Sequence, residues 1–134
     1  MPAMRAEVHY YDPSPTEDIS CVLFALNERG GVRISEILYS CDTDGGCRDD
    51  GDPPRDPSFV GAGVLKFAVP SDQEKRGIQD ADTFSNVRSL SYQCRLTKAH
   101  PDNGWSGITG VLAQICKKDP ATSGYPGNGA CYRL

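Results

Sequence analysis

The chain has 134 residues, a formal charge of −4, fourteen Gly, ten Pro and six Cys. That length fits one domain over residues 1–134, burying roughly two thirds of the surface of its unfolded chain. The mild negative charge argues against a general nucleic-acid or anionic-membrane binder, and no segment approaches the ~20 apolar residues of a membrane-spanning helix.

Residues 6–11, AEVHYY, carry a short β pattern, with Val8 and Tyr10 on one face and His9 and Tyr11 on the other. Pro13 and Pro15 stop it. Ser14, Pro15 and Glu17 then stand as cap, first helical position and capping-box partner, with room for one helical turn before Cys21.

Residues 19–41, ISCVLFALNERGGVRISEILYSC, organise the chain. The apolar run at 21–26, bounded by turn residues, predicts a buried strand. Residues 27–31 predict a tight turn, with Gly30 and Gly31 supplying the positive φ angles. In the returning arm Val32 and Ile34 alternate with Arg33 and Ser35, after which the phase slips. Either both faces are apolar near the end or a bulge lies near Ser35 and Glu36. Ile34, Ile37 and Leu38 also fit a helical stripe, with a strand preferred over so short a helix closed by a cysteine.

Residues 41–57, CDTDGGCRDDGDPPRDP, hold six Asp and two Arg and no apolar residue besides Cys and Pro. This stretch is a surface loop. Residues 58–69 return to a strand pattern, with Leu65, Phe67 and Val69 on one face and a bend or close backbone approach at Gly61 and Gly63. Ser71 and Glu74 repeat the capping-box pattern, limited by Gly77 to a turn or two of helix.

Residues 89–96, SLSYQCRL, alternate cleanly: Leu90, Tyr92, Cys94 and Leu96 on one face, Ser91, Gln93 and Arg95 on the other. His100-Pro101-Asp102-Asn103-Gly104 is a turn. The following stretch, 105–117, is ambiguous. Trp105, Ile108, Leu112 and Ile115 have helical spacing, but Gly107 and Gly110 disfavour a helix. The Asn-Gly turn favours a strand in a hairpin with 89–96, with partial core burial one reading of Trp105. The tail, 120–134, is loop-like. Together these features predict a mainly β fold: an antiparallel barrel or sandwich with long loops, one or two short helical turns and three disulfides.

The cysteines are Cys21, Cys41, Cys47, Cys94, Cys116 and Cys131. They lack the C-x-x-C pairs of a zinc site, so three disulfides are expected, and with them an oxidising, extracellular setting. Six cysteines permit fifteen pairings, and sequence does not choose. Cys41 or Cys47 is expected to tie the acidic loop and Cys131 the tail, with Cys116 its nearest partner in sequence. Residues 1–6 lack the apolar core of a secretory signal, so a secreted protein would have this as its mature form with an added starting Met. No Asn-x-Ser/Thr acceptor occurs.

His9 and His100 are the two imidazoles. A ribonuclease-like hydrolase could use them as acid and base, with Glu7, Glu36, Arg33, Arg88 or Arg95 completing the set; a turn and a strand edge explain them as well. Asp42, Asp44, Asp49, Asp50, Asp52 and Asp56 form a candidate interaction loop. They could hold calcium, although the stretch lacks the Glu of an EF-hand, and a solvated loop accounts for them otherwise. Trp105, Tyr125 and Tyr132 are candidates for stacking on a sugar. No nucleophile elbow, phosphate loop or zincin motif occurs. Neither a cofactor nor a metal is expected.

Length, the six cysteines at 21, 41, 47, 94, 116 and 131, a β-rich, turn-rich pattern and the lack of a catalytic motif together resemble the small secreted cysteine-rich proteins of fungi. The nearest are the protein elicitors of the rice blast type, which provoke a hypersensitive response in plants. The resemblance implies an apoplastic, non-catalytic, monomeric protein recognised by a plant cell-surface component. A small secreted hydrolase, or a β module that binds carbohydrate or a partner protein, is the alternative.

Overall fold

The computed structural model describes residues 3–27, 30–42, 44–48, 57–69, 89–116 and 131–133. Eight strands lie in these segments: β1 Ala3–Asp12, β2 Ser20–Asn27, β3 Gly30–Arg33, β4 Leu38–Tyr39, β5 Gly61–Val69, β6 Ser89–Arg95, β7 Gly107–Cys116 and β8 Cys131–Arg133. One sheet has the order β5-β1-β7-β8. In the other, β2 is central, with β3 and β4 along one edge and β6 along the other. Every strand pair is antiparallel, as expected of strands joined by turns without crossover helices. Among the described residues no helix occurs and the sheets do not close into a barrel.

Strand alternation sets the core. From β1, Ala6, Val8 and Tyr10 point inward beside Leu65 and Phe67 of β5. Facing them are Cys21, Leu23 and Ala25 of β2, with Ile19, Ile34 and Leu38, and Leu90, Tyr92 and Cys94 of β6 pack at the margin. Gly63 lies opposite Tyr10, and a side chain there would run into the tyrosine ring, so the close approach expected at this glycine is real.

The sheets meet along two seams. On one side, residues 44–48 link β4 to β5: Tyr39 and Cys47 exchange backbone hydrogen bonds of 2.8 and 3.0 Å, and Lys66 N donates to Gly45 O at 2.8 Å. Gly45 and Gly46, at φ +93° and +94°, provide the left-handed backbone this passage needs. On the other side the Tyr92 hydroxyl donates to Leu112 O at 2.9 Å, joining β6 to β7.

Two disulfides are described. Cys21–Cys94 joins register partners on β2 and β6, and Cys41–Cys47 closes the first part of the acidic loop, residues 41–47. The sequence left both pairings open.

Several expectations change. The register puts Gly30 opposite Asn27, so Gly30 and Gly31 belong to β3, and residues 28–29 between the two strands lie outside the described set. The phase slip in the returning arm is a complete break: residues 34–37 stand opposite only Val22 and Leu23. Ser35 covers the gap, its Oγ accepting from Leu23 N at 2.8 Å. Strand β7 does not form a hairpin with β6. The Asn103-Gly104 turn closes locally on His100, and the chain crosses to the other sheet to pair with β1. Trp105 is consequently 84% exposed, not core. The tail ends in β8 on the free side of β7. His9 lies on a central strand, since β1 is paired on both sides. The capping box at Ser71 lies outside the described residues.

Burial pushes the Tyr10 hydroxyl up to about 12, with Asp12, Asp18 and Asp44 adding to the rise and a hydrogen bond at the Cys41 backbone opposing it. Burial also raises Tyr92. A neutral phenol is therefore favoured in the folded state, while an unfolded tyrosine ionises near pH 10. This contribution to stability is complete below about pH 10 and is lost as pH rises through about 12. Urea midpoints should fall steeply over that interval, and Tyr10→Phe should flatten the fall. An unchanged alkaline slope in Tyr10→Phe would refute the assignment.

Candidate functional site

Strand β1 ends at Asp12 because Pro13 has no N–H to continue the ladder. Asp12 is fully buried, so its polar atoms need protein partners. Oδ1 accepts from Ser14 N at 2.9 Å and from Thr97 Oγ1 at 3.4 Å; Oδ2 accepts from Ser40 Oγ at 2.6 Å. Ser40 Oγ in turn accepts from Ile19 N at 2.9 Å. One carboxyl group thus ties together the ends of β1, β4 and β6 and the 14–19 segment.

That segment has its own brace. Ser14 Oγ accepts from Glu17 N at 3.0 Å and from Thr16 N at 3.3 Å. The capping contact expected from sequence is made, but the chain turns into β2 without forming a helix. Thr97 N donates to Ser106 Oγ at 3.1 Å, which fixes the exit of β6.

These braced ends surround an open cleft of about 340 Å³, within the roughly 300–1,000 Å³ of small-molecule sites. Its floor follows from register. Ser20 pairs with Tyr39 on one side and Arg95 on the other, all three facing away from the core. The small serine between two long side chains leaves a trough about two strand spacings, ~10 Å, across. Glu17 and Asp18 line one end and Lys98 extends the basic wall.

A second polar arrangement lies on the outer face of β1. Arg5 Nη2 donates to Glu7 Oε1 at 2.7 Å, and His9 Nε2 lies 3.3 Å from Glu7 Oε2. Glu7 is largely buried by its neighbours, while the His9 side chain is 49% exposed. The i, i+2 spacing of a strand puts all three on one face. A carboxyl group so placed orients the imidazole, as it does for a general base.

The other candidates are scattered. Asp44 pairs with Lys66 at 2.7 Å, and Asp42 is exposed; Asp49, Asp50, Asp52 and Asp56 lie outside the described residues. Glu36 pairs with Arg48 at 2.6 Å, and Arg33 Nε donates to Ser35 O. His100 Nδ1 accepts from the backbone N–H groups of Asp102 and Asn103, so it braces its own turn. Arg88 and Tyr125 lie outside the described residues, as does the side chain of Tyr132. Among the described residues no three His, Cys, Asp or Glu side chains are grouped to hold a metal ion, and no helix is long and apolar enough to cross a membrane.

Sequence reading gave weight to His9 and Arg95 and none to Asp12, Ser20, Tyr39 or Lys98. A signal for Asp12 was present: Asp two residues before Ser, flanked by prolines, is an Asx-turn pattern. The cleft itself had none, because its parts come together only through the pairing of β2 with β4 and β6.

The fold and site define a disulfide-stapled, two-sheet β protein with a braced polar cleft at one end. No protein-family model, curated protein or solved structure matches the chain.

Proposed function

We propose that the protein is a secreted elicitor of the fungal type, a monomer recognised by a plant cell-surface or apoplastic component and acting without catalysis. The observation that carries this reading is the cross-linking. Cys21–Cys94 fixes β2 to β6, and Cys41–Cys47 fixes the first part of the acidic loop, leaving Asp42 and Asp44 at the surface. Such cross-links persist in oxidising compartments, and they hold surface loops in one shape for a partner to read. The acidic loop is the proposed contact.

Leaf infiltration tests it. Native protein should cause cell death, reduced and alkylated protein should not, and His9→Ala and His100→Ala should stay near the parent level. A folded His variant without effect would overturn the non-catalytic reading.

The aligned Arg5, Glu7 and His9 favour one second reading, a small hydrolase acting on a phosphodiester with His9 as general base. Ribonuclease activity that disappears in His9→Ala would establish it in place of the first.

A third disulfide belongs to the proposal. The backbone register sets Cys116 directly opposite Cys131, and antiparallel partners stand about 4.5–5.5 Å apart at Cα, within disulfide reach. Peptide mapping of the unreduced protein should find this pair, and reduction should add six hydrogens to the intact mass. Two free thiols would refute it.

A further inference from the structure

We infer that the cleft between β4, β2 and β6 is a binding site for a neutral saccharide. The inference is independent of the elicitor reading. The formal charges lining the cleft cancel, with Glu17 and Asp18 set against Arg95 and Lys98. A net anion meets the two carboxylates and a net cation the two bases, so neither is favoured. A ligand with many hydroxyls suits such a wall, since each hydroxyl both donates to a carboxylate and accepts from a guanidinium or ammonium. Tyr39 supplies the other half of saccharide chemistry. It lines the cleft as the register partner of Ser20, which offers an aromatic side chain to a sugar's C–H face.

The site is also held in place. Ser20 and Tyr39 are register partners, and Tyr39 is hydrogen-bonded through its backbone to Cys47, inside the Cys41–Cys47 loop. Glu17 hangs from Ser14 Oγ, and Ser14 from Asp12. The walls are thus set before a ligand arrives, which reduces the ordering cost of binding. The β1 outer face lacks this form, because Arg5, Glu7 and His9 already satisfy one another across an open sheet.

The test uses the whole oxidised protein and four probes: hexasaccharides of β-1,4-glucose, β-1,3-glucose, β-1,4-xylose and β-1,4-N-acetylglucosamine, titrated to millimolar concentration. At least one should move the ¹H–¹⁵N signals of Thr16, Ser20, Arg95 and Lys98. Tyr39→Ala should weaken that probe roughly tenfold, the loss of about one stacking contact. Arg95→Ala, at an exposed strand position, tests the polar wall should Tyr39→Ala fold poorly, and it should weaken binding severalfold. A hexagalacturonate control should bind more weakly than the best neutral probe. No shift with any neutral probe, shifts confined to other surfaces, or preference for the hexagalacturonate would each overturn the inference.

Discussion

Asp12→Ala is expected to lower the free energy of unfolding by at least about 3 kcal/mol. Three donors lose their acceptor at once: Ser14 N, Ser40 Oγ and Thr97 Oγ1. Each buried donor left without a partner costs about 1–3 kcal/mol, and Ala also leaves a cavity that water does not reach easily. Asp12→Asn keeps the shape and one acceptor oxygen, so its cost should be smaller, about 1–2 kcal/mol. Equilibrium urea unfolding of the three proteins measures this directly. An Asp12→Ala midpoint equal to that of the parent would mean the network is not what holds these strand ends. Against a total of roughly 5–15 kcal/mol for a domain, the expected loss is large enough to expose residues 14–19 to protease in the Ala variant.

The second large effect separates the two described disulfides. Cross-linking stabilises a fold chiefly by restricting the unfolded chain, and more so for longer loops. The sequence separation is 73 for Cys21–Cys94 and 6 for Cys41–Cys47. The chain-entropy relation then gives about 4.4 kcal/mol for the first and about 2.2 kcal/mol for the second. The paired variant Cys21→Ala/Cys94→Ala should therefore unfold at clearly lower urea than Cys41→Ala/Cys47→Ala. Packing does not add to the gap, because Cys41 and Cys47 are as inaccessible as Cys21, so the difference expected is that of loop length. If the short-loop pair proved the costlier, local packing around Cys41 and Cys47 and not loop entropy would govern this fold.

The strands were readable where one face is buried and the pattern has period two. Val8 and Tyr10, Leu65 and Phe67, and Leu90, Tyr92 and Cys94 all face inward as their alternation indicates. Pairing was not readable, since alternation fixes a face but not a neighbour. The Asn103-Gly104 turn illustrates the limit: it is a real turn, yet it reverses the chain only locally and hands β7 to the other sheet. Gly30 and Gly31 misled for a related reason, because two glycines mark a turn or the strand beside it equally well, and only register decides. The cleft depended wholly on such pairings. Ser20 and Arg95 are neighbours in space and far apart in sequence, and no local pattern marks a serine that becomes a floor.

One hydrogen bond has a wider consequence. Among the described residues, 107–113 of β7 pair with β1 alone, and β8 meets β7 from Gln114 onward. A strand edge of that kind is a template on which a second chain can add, the usual start of sheet-to-sheet aggregation. Tyr92 occupies the Leu112 carbonyl on this strand, and the extra residue at the β1–β7 bulge, between the partners of His9 and Tyr10, interrupts the flat spacing an incoming strand would need. The phenol hydroxyl thus joins the two sheets and takes up an acceptor on this strand. An incoming strand would compete with that hydroxyl for the Leu112 carbonyl and would meet the bulge beside it.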